Sequence, residues 1–417
     1  MQPGTDIAII GAGAAGLMAS VWAARTLRAS GLPVHVAAYD GAARIGAKIL
    51  VAGGGRCNVT HDIVTEAAYA GSSRHAVRNV LGRFGVADTV RFFAELGVEL
   101  KREETGKLFP VTDDARSVLS ALRSAVDDSG ASVVHPWRVR TLRRTDTGFE
   151  IEGEAGRITA KRVIVATGGK SLPRSGSDGA GYDFVKALGH RVTDTFPALV
   201  PLVLKTGHWS LTLPGLTLPA TMEVRSGTGK RLVSFTDSTL FTHFGLSGPA
   251  VLDVSRYYSA AKRADDGAGL FASWLPGTTR EELDLTLQSL GKTSPPRALQ
   301  ELGIPERMAR ALCTAAGIVN TEPGAALTRE ARRSLVDALL ASPLPVVGDR
   351  GYTYAEVTAG GVPLDEVRLD TMESRLCPGL HLCGEILDVD GRIGGYNFQW
   401  AWASGFVAGR GAATAGN

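Results

Sequence analysis

DIAIIGAGAAG, residues 6–16, decides how the chain begins. A short apolar run, Ile7 to Ile10, meets a glycine turn and then an alanine-rich stretch, Leu17 to Leu27, which reads as strand, turn, helix. Gly11 allows the tight turn, Gly13 lets a pyrophosphate approach the backbone, and Gly16 lets the helix pack against the strand. The free N–H groups at the start of such a helix hold phosphate. The next strand, VHVAAYD at 34–40, ends in Asp40, an acid about 20 residues past the glycines, where a carboxylate accepts a pair of ribose hydroxyls. The predicted ligand is a dinucleotide.

The 417 residues suffice for two or three domains with sizeable cores. A formal net charge of +3 is too small to argue for nucleic acid by itself. The four cysteines, Cys57, Cys313, Cys377 and Cys383, have no zinc-type spacing, so no metal is expected, and their scarcity fits a reducing cytoplasm. Residues 7–24 are free of charge for 18 positions, long enough to suggest a membrane span. The fingerprint glycines inside that run, and Asp6 before it, favour a buried strand and helix, and no membrane partner is expected.

Further along, LVAGGGRCN at 50–58 reads as a loop lying against a flat ligand, since three successive glycines permit close backbone approach. Residues 73–97 read as helical, with Asp88 a plausible N-cap, and 115–125 as another helix. Between 132 and 165 the period changes to two, predicting a meander of short strands that runs into Ala166-Thr167-Gly168-Gly169. Arg138, Arg140, Arg143 and Arg144 on that meander read as a solvated outer face. No second strand–GxGxxG–helix unit is found, which argues against a dedicated NAD(P) domain.

Residues 197–274 read as β-rich and hold a lone His243, whose ordinary role is structural. Residues 278–342 read as helical, with Thr328 as an N-cap. The chain then returns to strand patterns that end in Gly384-Glu385 and in RIGGYNFQW, 392–400, which opens a last helix. This is what a bound flavin requires. Glu385 can accept from the ribityl chain, and the helix start at Gly394 to Asn397 can face the pyrimidine edge of the ring and favour the charge gained on reduction.

These motifs, taken in order, resemble the BaiN/YhiN-like FAD-binding flavoproteins, also described as aminoacetone oxidase-like. The resemblance is carried by GAGAAG at 11–16, GGGRCNVT at 53–60, KLFPVTDDARSVL at 107–119 and ATGGKSLPRSGSDGAGY at 166–182. It continues through PALVPL at 197–202, FTHFGLSGPA at 241–250, VTAGGVPL at 357–364 and GEILDVDGRIGGYNFQWAWASGFVAG at 384–409. Asp40 stands where the family usually has Glu, and His61 where Asn is commoner. The resemblance implies an α/β fold: a discontinuous Rossmann-type FAD-binding domain, 1–195 with 345–417, a β-rich substrate domain, 196–277, and a helical insert, 278–344. The FAD-binding residues it implies are Gly11, Gly13, Ala14, Ala15, Gly16, Asp40, Gly54, Gly55, Asn58, Thr167, Gly168, Glu385, Gly395, Tyr396 and Asn397.

The resemblance also implies a cytoplasmic flavoprotein oxidoreductase that reduces an activated C=C bond of a small molecule, with NAD(P)H as a transient donor. Alternatives are a dihydrouridine synthase acting on ribosomal RNA, an amine oxidase, and a flavin redox sensor without turnover. DNA is not an expected partner. Motif position makes Arg56, Cys57 and Tyr396 the catalytic candidates, with Cys57 or Tyr396 supplying the proton that completes a double-bond reduction.

Overall fold

The computed structural model describes residues 5–414; the ends of the segments 1–195 and 345–417 beyond those bounds lie outside the described residues. The chain divides into two compact units, one of residues 1–197 with 356–417 and one of residues 198–355.

The first unit is built on a seven-stranded sheet. Its centre is the strand Thr5–Ile10, parallel to Val36–Tyr39 on one side and to Gly156–Val165 on the other. The long strand 156–165 divides its free edge. Gly156–Ala160 pairs antiparallel with 149–153, while Val163–Val165 pairs parallel with Leu380–Leu382. A strand from the distal part of the chain is thereby stitched into the sheet that the fingerprint opens. Ser132–Val134, expected in the meander, is instead a parallel strand beside 36–39 at the far edge. Only 139–145, 148–153 and the first half of 156–165 form the antiparallel meander.

The uncharged run 7–24 is buried on nearly every side. Its helix, Ala14–Ala29, lies against the last helix, Tyr396–Thr414, at a seam of small residues. A Cβ on Gly405 would stand 2.6 Å from the Ala15 carbonyl oxygen, and one on Gly409 would stand 2.4 Å from that of Ala19. Both helices are apolar because each is covered. No helix among the described residues is long and apolar enough to cross a membrane.

The single helix expected over 73–97 is two, Arg74–Leu81 and Val86–Glu95, separated at Gly85. Asp88 is not the N-cap. It sits in the first turn of the second helix and accepts from the Gly85 N–H at 3.0 Å. The helix over 115–125 runs on to Ser129 and stops at Gly130, whose φ of 86° ends it in the left-handed region.

The second unit, Ala198–Ala355, has its own antiparallel seven-stranded sheet. Residues 249–264, expected to be part of a β-rich region, form a sixteen-residue helix started by Pro249 and burying Val251, Val254 and Tyr258. The helices Arg280–Gln288, Glu306–Ala315 and Arg329–Leu340 follow, the first and last capped by Thr279 and Thr328. Leu283, Met308 and Leu335 from these helices share one core with Phe241, Leu270 and Trp274 from the sheet region. The segments 196–277 and 278–344 are thus not two separately packed inserts.

Candidate active site

A cavity of about 630 Å³ opens in the first unit at the ends of its parallel strands. Gly11, Gly13, Ala14 and Ala15 form one wall. The three glycines there act differently. Gly11 has φ +102°, and a Cβ on it would lie 2.5 Å from the Ala166 carbonyl oxygen. Gly16 does not face the cavity; a Cβ there would lie 1.9 Å from the Gly11 carbonyl oxygen, so it is the packing glycine. A Cβ on Gly13 would meet no protein atom within 4 Å, so the space it leaves belongs to the cavity. The helix that starts at Ala14 has no side-chain cap and no acid in its first turn, which leaves its N–H groups available to an anion.

Asp40 faces the same cavity, accepting from the Ala12 N–H through Oδ2 and from the Ala42 N–H through Oδ1, both at 2.7 Å. Those two bonds fix the carboxylate and leave lone pairs for hydroxyls. Arg138 also lines the cavity, ion-paired with Asp178, rather than lying on an outer face with its neighbours. Arg140 does lie outside, paired with Glu154. Thr167 and Gly168 complete this side. The turn they form is pressed by the helix Ala180–Ala187, where a Cβ on Gly181 would collide with Thr167 Oγ1 at 1.9 Å.

The GGGRCN stretch is not a loose loop. A helical turn from Ala47 runs into Gly53, Gly54 and Gly55, all at positive φ, which reverse the chain. Gly53, Gly54, Arg56 and Asn58 face the cavity, and Gly55 and Cys57 do not. Asn58 is buried, and its Oδ1 has no hydrogen-bond partner among the described residues. The Ser177 Oγ on another wall is in the same position. Buried polar atoms left unmatched in this way call for a ligand or water.

Glu385 lines the cavity, but the protein holds it firmly. Its Oε1 accepts from the Ser171 hydroxyl and the Thr358 N–H, both at 3.0 Å, and its Oε2 is 2.7 Å from Lys48 Nζ. Lys48, another cavity residue, also donates to Ser171 Oγ at 2.8 Å. Sequence reading missed Lys48 and Ser177. Both lie in glycine- or alanine-rich stretches, and that setting was the available signal.

On another part of the cavity wall, the Arg56 guanidinium carbon lies 4.0 Å from the Phe109 ring centre, and its Nη1 donates to Glu103 at 2.6 Å. That hydrogen bond, with Asp113 nearby, holds the guanidinium above its ordinary pKa, so Arg56 offers charge and no transferable proton. Gly394, Gly395 and Asn397 also line the cavity. The Asn397 side chain is committed to closing its own loop, accepting from the Gly391 N–H at 2.8 Å and donating to the Gly391 carbonyl at 2.9 Å.

Two of the three catalytic candidates are absent from the cavity wall. Cys57 is fully buried in the core at φ 61°, and burial pushes its thiol up to about 12. Tyr396 is not among the cavity-lining residues; its ring is stacked on His61 with centroids 4.9 Å apart and edge-on to Tyr69. His61, the departure from the family pattern, is thus a packing partner for Tyr396, fixed by the Thr105 carbonyl at 3.0 Å. His243 is exposed in the second unit, its ring edge-on to Phe244.

Residues 5–411 match the family described as HI0933-like protein Rossmann domain. The chain belongs to that family. Among curated relatives of this HI0933-like chain is a 3-dehydro-bile acid delta(4,6)-reductase from Clostridium scindens, 35% identical over 410 residues and covering 98% of both chains. A ribosomal RNA dihydrouridine synthase from Haemophilus influenzae is 34% identical over 405 residues, covering 96% of both. Among solved structures, a 3-ketosteroid delta1-dehydrogenase from Sterolibacterium denitrificans shares the fold, with a TM-score of 0.52 over 98% of this chain and 99% of that one at 12% identity. The HI0933-like chain is an FAD-dependent oxidoreductase. The glycine cradle, the uncapped helix start and the unmatched Asn58 Oδ1 fit the cofactor that the family implies.

Proposed function

We propose that the enzyme reduces a C=C bond conjugated to a carbonyl. The observation that carries this reading is the pair of relatives similar over nearly the whole chain, since a delta(4,6)-reductase and a dihydrouridine synthase both saturate such a bond. Bound FAD supplies the hydride chemistry at its N5. The protein's part is binding, orientation and charge.

In this reading Gly11, Gly13, Ala14 and Ala15, at the uncapped helix start, would hold the pyrophosphate. Asp40 takes the adenosine ribose. Thr167, Gly168 and Gly54 would let the backbone approach the cofactor, and the unmatched Asn58 Oδ1 would be free to accept a hydrogen bond from it. Glu385, fixed by Lys48, Ser171 and Thr358, faces the ribityl chain with its remaining lone pairs. Gly395 and the helix start at 396 would hold the pyrimidine edge, and Arg56 on Phe109 would serve the substrate. Gly16 and Gly55 act through the shape of the turns. The second unit, Ala198–Ala355, is the substrate domain, and NAD(P)H is a transient donor without a domain of its own. Four unpaired, buried cysteines accord with a cytoplasmic enzyme.

The substrate is a small molecule or, by the same chemistry, uridine in ribosomal RNA; the second relative favours keeping the latter. The deciding experiment reduces the yellow protein anaerobically with NADPH or NADH, then mixes it with a 3-oxo-Δ4 steroid or with rRNA lacking dihydrouridine. Reoxidation by one acceptor, with saturated product by mass, is the expected result. Reoxidation only by dioxygen, with peroxide release on adding an amine, would replace this reading with an amine oxidase.

A further inference from the structure

Five described cations line the cavity: Lys48, Arg56, Lys107, Arg138 and Arg392. Lys48, Arg56 and Arg138 are each paired with a carboxylate. Lys107 differs. Its ammonium makes no ion pair and no side-chain hydrogen bond within the described residues, although it is half-buried. The strand that carries it, Lys107–Pro110, is pinned between Thr60–His61 and Leu100–Arg102. Its backbone carbonyl accepts from the Glu103 N–H at 2.9 Å, so its Cα is well fixed.

The side chain extends toward the turn that opens the last helix. A Cβ on Gly394 would lie 3.6 Å from Lys107 Cε. Gly394 and Gly395 are at φ 121° and 94°, and the helix behind them, Tyr396–Thr414, has no acid in its first turn. An unpaired ammonium and the positive end of a nineteen-residue helix therefore meet at one end of the cavity. Two like charges brought together without a counter-charge cost free energy unless an anion joins them. At Lys48, Arg56 and Arg138 the fold supplies a carboxylate to the cavity cation.

We propose that Lys107 is the electrostatic partner of the negative charge that reduction places on the flavin pyrimidine, acting together with the helix start at Gly394 to Asn397. This rests on the FAD reading and not on the identity of the substrate. Lys107 then favours the two-electron reduced, anionic flavin over the oxidised one, because only the reduced form carries the charge it faces.

Sulfite isolates this effect without turnover. Its lone pair forms a bond to flavin N5, and the displaced electron pair comes to rest on the N1–C2=O side of the ring, so adduct affinity reports positive charge there. Titrating sulfite into the yellow protein, followed by bleaching of the visible flavin band, should give an adduct about tenfold or more weaker in K107M than in wild type. In K107R, which keeps the charge, affinity should stay within about threefold. K161M, which removes an exposed lysine paired with Asp6, should match wild type. The two-electron potential of K107M should fall in step.

A yellow K107M protein with unchanged sulfite affinity and potential overturns the proposal, and if turnover is nonetheless lost, Lys107 serves the substrate instead. Should K107M not retain FAD, K107R carries the test: a loss of adduct in K107R as complete as in flavin-free protein also overturns it. A wild-type protein that holds no flavin would refute the FAD reading itself, which is a separate outcome.

Discussion

One wall of the cavity is a single strand, turn and helix, residues 5–29; another is assembled from the 53–58 turn, the strand Lys107–Pro110 and residues 392–395 with 397 and 398. The first wall is almost free of side chains. Its chemistry is backbone N–H groups and the space that missing Cβ atoms leave. The second is made of side chains from three distant segments, and its character depends on which of them face inward. A backbone-built wall follows from residue types alone. A side-chain-built wall follows only when the long-range packing is known.

The largest effect expected at the first wall separates two of its glycines. G16A puts a Cβ 1.9 Å from the Gly11 carbonyl oxygen, and the helix can escape only by moving off the sheet. It should cost about 3 kcal/mol or more, read as a lowered denaturant midpoint. G13A meets no protein atom and has an ordinary φ of −81°, so stability should stay within about 0.5 kcal/mol. Its new methyl group fills ligand space instead, and FAD affinity should fall about tenfold or more by fluorescence titration. If G13A were as unstable as G16A, the division between packing and cradle glycines would be wrong.

That division was legible in the sequence. The spacing of Gly11, Gly13 and Gly16 behind an apolar strand left little freedom, and Asp40 followed from the distance to the next strand end. The N-cap Thr328 shows the same locality. Other features were not legible. The helix 249–264 sits among strands, and its weakly amphipathic sequence with one Pro at the start did not outweigh them. Ser132–Val134 is three residues long, and nothing in it says which edge of the sheet it joins. Cys57 lies between two cavity residues, Arg56 and Asn58. Whether it faces the ligand depends on the positive φ values of Gly53 to Gly55, which turn the chain by an amount no residue pattern specifies.

The distal strand of the first sheet gives the next effect. His381 lies on the distal strand that completes the sheet, fully buried, its Nδ1 2.9 Å from the Thr371 carbonyl and its Nε2 without a hydrogen-bond partner among the described residues. Burial lowers its pKa to about 4 from an unfolded value of 6.5. The folded state therefore holds the ring neutral while the unfolded state takes up a proton. Stability from this group is fully present above pH 6.5, falls as the pH drops, and levels off below about 4. The loss across that window is about 3 kcal/mol. H381N, with no proton to gain, should flatten the slope of denaturation midpoint against pH between 6.5 and 4. An unchanged slope would assign the acid sensitivity elsewhere.

Lys48 ties the 47–51 turn to Glu385 across the middle of the cavity. K48M leaves a mostly buried carboxylate without its cation, at a cost of about 1–3 kcal/mol. The double variant K48M/E385Q should recover part of that loss, because the stranded charge is gone. Thermal melts of the three proteins measure it. Recovery of stability without recovery of FAD affinity would show that Glu385 serves the ligand as well as the fold.

The smallest effect expected is the one that most sharpens the contrast between the walls. Loss of a general acid typically slows a reaction by about 10²–10⁴. Cys57 is sealed in the core with a thiol that holds its proton up to about pH 12, and Tyr396 is stacked on His61 with its ring off the cavity wall. Neither can reach a substrate without rearranging the 53–58 turn or the start of the last helix. C57A removes one buried sulfur and should cost about 1 kcal/mol of stability. Reoxidation of reduced C57A and Y396F by a cyclic enone should stay within about threefold of wild type, on the scale that separates a packing residue from an acid. A drop of a hundredfold in either variant, with FAD content and melting temperature intact, would mean that this wall rearranges when substrate binds. In that case the side chains facing inward at rest would not be those that meet the substrate.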